Sequence, residues 1–211
     1  MTYQPTTQFS MFPPAVKHLI IINVICFVAL YTPGIGDIIF AYFAMFPWER
    51  GIGIIPDQPF IFYPWQLVTY MFLHGGLGHI FFNLFALWIF GTAIENTIGT
   101  RRFAQYYFLT GIGAGILHFL ITGSGAAVIG ASGAVFGILL AFGMMFPNRE
   151  IFFLFIPVPI KAKYFVVMYG AFELMMGVSS LQTGIAHFAH LGGMVVGYLL
   201  IRYWKLPTNL Y

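Results

Sequence analysis

The run FAQYYFLTGIGAGILHFLI, residues 103–121, carries no lysine, arginine, aspartate or glutamate. As a helix it extends about 28 Å at ~1.5 Å per residue, close to the ~30 Å hydrocarbon core of a bilayer. Apolar stretches at 15–31, 77–96, 132–147, 163–180 and 187–204 follow the same lines. None alternates polar with apolar residues as an outer-membrane barrel strand would. Hydrophobic residues make up 60% of the 211 and charged residues 7%, too little polar surface to cover a soluble fold of this size. The sequence therefore predicts an all-α membrane protein, a six-helix bundle over 15–204 with tails at 1–14 and 205–211. The first fifteen residues are polar and proline-bearing, with no basic n-region, so the first apolar segment is expected to stay as an anchor. Cys26 is the single cysteine and forms no internal disulfide.

Residues 32–76 form neither a clean span nor a polar loop. They include FAYFAMFPWERGIGIIPDQPFIFYPWQLVTYMF, a mixture of aromatics, prolines and a few charges. Trp and Tyr prefer the membrane–water interface, so this segment is predicted to be a structured, partly embedded first loop.

Basic residues orient the chain. With the N-terminus cytoplasmic, the inner segments hold Lys17, Arg101, Arg102, Arg149, Lys161, Lys163, Arg202 and Lys205, and the outer segments hold only Arg50. That bias supports six spans with both termini inside, and the expected location is a bacterial cytoplasmic membrane. The net charge of +3 follows from this distribution, and no nucleic-acid partner is implied.

Under this topology the second, fourth and sixth spans all start on the outer side. Their first turns carry His79 and Asn83, Ser132, and His187 and His190. Polar groups at one depth in lipid must face each other or water. The fourth span is short: fifteen residues from Ser132 to Phe146 reach only about 22 Å. Its outer end is then sunken, and the connection TGSGAAVIGA dips into the membrane plane, where irregular backbone needs protein or water around it.

A serine at a helix start, among unpaired N–H groups, can attack a carbonyl and help hold the oxyanion. It needs a base, and His190 stands at the same depth. Gly133 with Gly137, and Gly193 with Gly197, have the four-residue spacing that lets helix backbones approach closely. His79 and Asn83 share one helix face; they serve either as oxyanion donors or as hydrogen-bonding glue between helices. Asp37, Glu49 and Asp57 fall in the interfacial segment, and Glu95 and Glu150 at cytoplasmic ends. Glu173 lies within the fifth span. No acid stands plainly beside His190, so a Ser–His dyad is expected, with Glu173 assigned to helix packing or a water-mediated network. A metal-dependent activity using His79, His187 and His190 is the rival reading, but the chain has no HExxH.

The pieces PWQLVTYMFLHGGLGHIFFNLFALWIFG, GTAIENTIG, GASGAVFG and AHFAHLGGMVVG, in that order, resemble the rhomboid intramembrane serine proteases across nearly the whole chain. The resemblance implies Ser132 as nucleophile, His190 as general base, and an oxyanion hole of His79, Asn83 and the Ser132 N–H. It places Gly130, Gly133, Phe136, Gly137, Gly193 and Gly197 as supporting and packing positions. Phe136 stands where some members have a tyrosine packed on the catalytic histidine. His190 is chosen over His187 because it precedes Gly193 and Gly197 by three and seven residues. The implied substrates are membrane-spanning proteins, cut in or near the outer part of their transmembrane helix, with no metal or cofactor. The alternative is a non-catalytic relative that binds membrane helices.

Overall fold

The computed structural model describes residues 9–48, 61–123, 126–153, 156–179 and 186–210. Helix α1 (Pro14–Leu30) starts on a proline, whose missing N–H is no loss in a first turn. Its next two N–H groups donate to Glu95, at 2.9 Å from Ala15 and 2.8 Å from Val16. A carboxylate on a helix N-terminus satisfies orphan donors and complements the helix dipole. Thr100 Oγ1 donates to the same carboxylate at 2.7 Å. Glu95 thus fastens the first apolar helix to the turn after the second.

The described part of the first loop holds α2 (Gly36–Phe43) and α3 (Gln66–Thr69), which tightens into a 3₁₀ turn over Tyr70–Phe72. Gln66 is fully buried there and works at both ends of its amide. Its Oε1 accepts from the backbone of Phe46 and Tyr63, and its Nε2 donates to the carbonyls of Tyr42 and Ile61. Residues 49–60 of the predicted interfacial segment lie outside the described residues.

Helices α4 (Leu77–Ala86) and α5 (Thr92–Ile98) are joined without a break by one wide π turn, Leu87–Gly91. Gly99, at φ 82°, turns the chain into α6 (Thr100–Thr122). Then come α7 (Ser132–Met145), α8 (Ala162–Val178) and α9 (His187–Tyr203). Among the described residues, helix covers most of each stretch read as a span. Among the described residues, Leu77–Ile98 and Thr100–Thr122 are the helices long and apolar enough to cross a membrane by length and composition.

One connection differs from expectation. The sequence predicts an all-α fold, but between α7 and α8 the structure has an antiparallel hairpin, β1 (Glu150–Phe153) with β2 (Ile156–Lys161). Its Ile and Phe residues are good strand formers, but a run this apolar shows no alternation to reveal it.

Helix α7 sits at the centre, buried along most of its length between α6, α8 and α9. The outward faces of the surrounding helices are apolar: Ile25, Val28, Phe82, Val167, Val178 and Leu199 are all more than half exposed. Such a surface suits acyl chains rather than water.

Glycine sets the spacing between α7 and α9. A Cβ on Gly193 would run into the carbonyl of Gly133. One on Gly197 would meet the Tyr106 hydroxyl, with the Gly137 Cα at 3.3 Å. The Tyr106 hydroxyl itself donates to the Gly137 carbonyl at 2.8 Å. The two backbones therefore touch, and neither glycine of α9 has room for a side chain.

Gly193→Ala is expected to force these helices apart and destabilise the fold by about 1–3 kcal/mol, the usual cost of overpacking. Gly78→Ala, at an exposed site with open space around it, should leave stability unchanged or raise it slightly. Thermal unfolding of the two variants in detergent, read beside the parent, checks the contrast.

Candidate active site

Ser132 is the first residue of α7. The chain reaches it through an irregular segment whose polar backbone is met by protein. Met45 and Val128 exchange a pair of backbone hydrogen bonds at 3.0 and 2.9 Å, and the Gly130 N–H donates to the Tyr70 carbonyl at 2.9 Å. The Ala131 N–H points at Nε2 of His74, 3.5 Å away. His74 is fully buried, and burial, with His79 beside it, lowers its pKa to about 4. It therefore stays neutral near pH 7 and keeps the lone pair that accepts this N–H. The first N–H groups of α7 have no carbonyl within the helix, so they are available around Ser132.

Ser132 Oγ lies 2.8 Å from Nε2 of His190, on α9. With a neutral ring the serine O–H donates and Nε2 accepts, the arrangement a general base needs. Phe136 stacks on the His190 ring, with centroids 4.2 Å apart and planes within 6° of parallel. One helical turn connects Ser132 to Phe136, so α7 offers both the hydroxyl and the platform.

Gly130 has φ 121°, a conformation that favours glycine. A Cβ there would stand 2.6 Å from His79 Nε2 and 3.8 Å from Ser132 Oγ. The missing side chain leaves a hollow bordered by both atoms. His79 Nδ1 accepts from the Gly75 N–H at 3.3 Å, which puts the ring proton on Nε2, facing that hollow. Asn83, nearly buried, donates from Nδ2 to the carbonyl of His79 at 2.9 Å. That bond uses one of its two amide hydrogens.

Two residues that the sequence reading did not place in the site stand in it. His74 is one, visible in the sequence only as a histidine before GG. Glu173 is the other. Its Oε2 receives a hydrogen bond from His187 Nδ1 at 2.6 Å. The same oxygen lies 2.9 Å from His190 Nδ1, off the line of its N–H, a charge contact rather than an aligned hydrogen bond. The expectation that no acid stands beside His190 is therefore corrected. The available signal was depth: on the expected topology Glu173 falls just outward of mid-span, toward the layer of the other polar groups. The two histidines of HFAH also separate by role, since His190 faces Ser132 while His187 pairs with Glu173.

Glu173, His187 and His190 bring three ligand-type atoms within 4.8 Å of one another. A tetrahedral zinc would hold such atoms roughly 3.3 Å apart, given ~2.0 Å metal–ligand bonds. The contacts to Glu173, 2.6 Å from His187 and 2.9 Å from His190, are both shorter than that spacing. His79, which the metal reading also required, is not in this group.

Residues 62–205 match the family model described as the Rhomboid domain. The chain is 33% identical over 144 residues to rhomboid protease GluP of Bacillus subtilis, covering 68% of this chain and 26% of the relative. It is 35% identical over 136 residues to RHOMBOID-like protein 4 of Arabidopsis thaliana, covering 64% and 33%. It is 34% identical over 149 residues to rhomboid-type serine protease 2 of Emericella nidulans, covering 69% and 27%. The chain thus spans about a quarter to a third of the length of these relatives.

A hydroxyl hydrogen-bonded to an imidazole should react with a fluorophosphonate. The expected modification is on Ser132, located by mass spectrometry, and it should fall to background in His190→Ala. Equal labelling of that variant would show that the contact does not activate the serine.

Proposed function

Since the chain belongs to the rhomboid family of integral membrane proteins, we propose that it is an intramembrane serine endopeptidase with Ser132 as nucleophile and His190 as general base. The observation that carries this reading is the 2.8 Å contact between Ser132 Oγ and His190 Nε2 at the start of a buried helix. The polar groups of that layer come from separate helices within an apolar bundle, where they are costly unless they have work to do.

In this mechanism Ser132 Oγ attacks the carbonyl carbon of the substrate peptide as its proton passes to His190 Nε2. The carbonyl electron pair moves onto oxygen, and the Ser132 N–H, His79 Nε2 and Asn83 Nδ2 receive the resulting oxyanion in the hollow over Gly130. The C–N bond then breaks, the leaving amine takes the proton from His190, and an acyl-enzyme remains on Ser132. Water, activated by the same imidazole, releases the acid product.

The substrates are transmembrane proteins, cut in or near the outer part of their spanning helix. A peptide bond inside a helix has its carbonyl engaged, so helix-weakening residues near the cut lower the cost of exposing it. The chain crosses the bilayer six times with both termini cytoplasmic, and residues 32–48 and 61–76 lie partly embedded at the outer interface. Gly130, Gly133, Gly137, Gly193 and Gly197 allow the close approaches the site requires, and Phe136 supports the base. No metal or cofactor takes part.

Purified protein in liposomes should cleave a single-span reporter, while Ser132→Ala and His190→Ala should not. Cleavage by Ser132→Ala would overturn the mechanism. Cleavage by the parent should survive EDTA. Asn83→Ala should keep its fold and lose about 10- to 100-fold in kcat, at or below the usual cost of one oxyanion donor. A full rate in that variant would make Asn83 helix glue.

A further inference from the structure

We propose that Glu173 is a positioning residue for His190, holding the imidazole proton on Nδ1 and balancing the positive ring that forms when Nε2 takes the Ser132 proton. The proposal rests on the Ser132–His190 reading above and adds a third helix, α8, to the chemistry.

The first argument is the tautomer. A carboxylate only accepts, so the approach of Glu173 Oε2 to Nδ1 of both His187 and His190 requires a hydrogen on each Nδ1. A proton on His190 Nδ1 leaves the lone pair on Nε2, which faces the Ser132 hydroxyl. The carboxylate therefore selects the base form of the ring from its far side.

The second argument is charge. Glu173 is 3% exposed, and a buried carboxylate is tolerated only when paired or hydrogen-bonded. Among the described residues, those within salt-bridge distance of its carboxylate are the rings of His187 and His190, with no lysine or arginine. The positive ring formed at His190 during attack is thus met by a negative charge already in place. His187 keeps that charge from turning away, through its 2.6 Å hydrogen bond.

The third argument is geometry. The Phe136 stack fixes the plane of the His190 ring but leaves it free to turn within that plane. Contacts at both nitrogens, one to Ser132 and one to Glu173, remove that freedom. Glu173 takes up no proton in the cycle. The serine proton goes to Nε2 as the O–C bond forms, then to the leaving amine as C–N breaks.

The test uses the full chain in liposomes with the single-span reporter, comparing the parent, Glu173→Gln and Glu173→Asp. Glu173→Gln should lower kcat about 10- to 1,000-fold, less than the ~10⁴ lost when an aligned triad acid becomes an amide. Its KM should stay within about twofold of the parent, because a positioning residue does not touch substrate. Fluorophosphonate labelling of Ser132 should slow in parallel, at an unchanged thermal midpoint. Glu173→Asp, which keeps the charge but draws it back by one methylene, should recover part of kcat. Parent-like kcat and labelling in Glu173→Gln, with Ser132→Ala inactive, would overturn the role of Glu173 and leave the protease reading standing. Cleavage by Ser132→Ala would instead remove the reading beneath it. Should Glu173→Gln unfold, Glu173→Asp decides: reduced kcat at unchanged KM supports the proposal, and parent-like kcat overturns it.

Discussion

The backbone contact between α7 and α9, where the Gly133 carbonyl fills the space a Gly193 side chain would need, is the constraint on which the site depends. Between helices in lipid there is little hydrophobic drive, and association rests on close van der Waals packing. Small residues supply it here. Ser132 adjoins Gly133, and His190 precedes Gly193 by three residues on the same helix face. Bringing the two glycines together therefore brings the hydroxyl and the imidazole to 2.8 Å. A bulkier pair would separate the helices and these two side chains alike.

The first loop reaches the same site by a different route. Gln66 ties its own turn to the carbonyls and N–H groups of Tyr42, Phe46, Ile61 and Tyr63. That turn continues through Tyr70, whose carbonyl accepts the Gly130 N–H and whose hydroxyl donates to the Gly111 carbonyl on α6 at 2.7 Å. Buried backbone groups outside regular structure need such partners. A glutamine four residues before Tyr70 thus supports the backbone that leaves the hollow beside Ser132. Glu95 does comparable work at the other end, on the start of α1.

Much of this was legible in the sequence because lipid leaves few choices. Long apolar runs gave the helices, and the glycine spacing pointed to the α7–α9 contact. Ser132, His79 and His190 stood out as polar groups with no cheap place in hydrocarbon. What stayed hidden depends on rotation about helix axes and on backbone direction in the loops. Which face of α8 carries Glu173 cannot be read from a stretch that is apolar nearly all round. His74 carries no signal of its own in the sequence, because its partner, the Ala131 N–H, lies 57 residues away. The β1–β2 hairpin was masked by its own apolarity.

The geometry around Glu173 also bears on how a buried ion can favour a transition state. Oε2 of Glu173 is approached by two ring nitrogens from successive turns of α9. At rest the shorter contact, 2.6 Å, goes to His187, and His190 waits at 2.9 Å out of line. Protonating His190 Nε2 changes the terms, because a hydrogen bond from a charged ring is shorter and roughly twice as strong. The interaction of Glu173 is thus weaker with the neutral ring than with the imidazolium. Only such a difference between the two states accelerates a reaction.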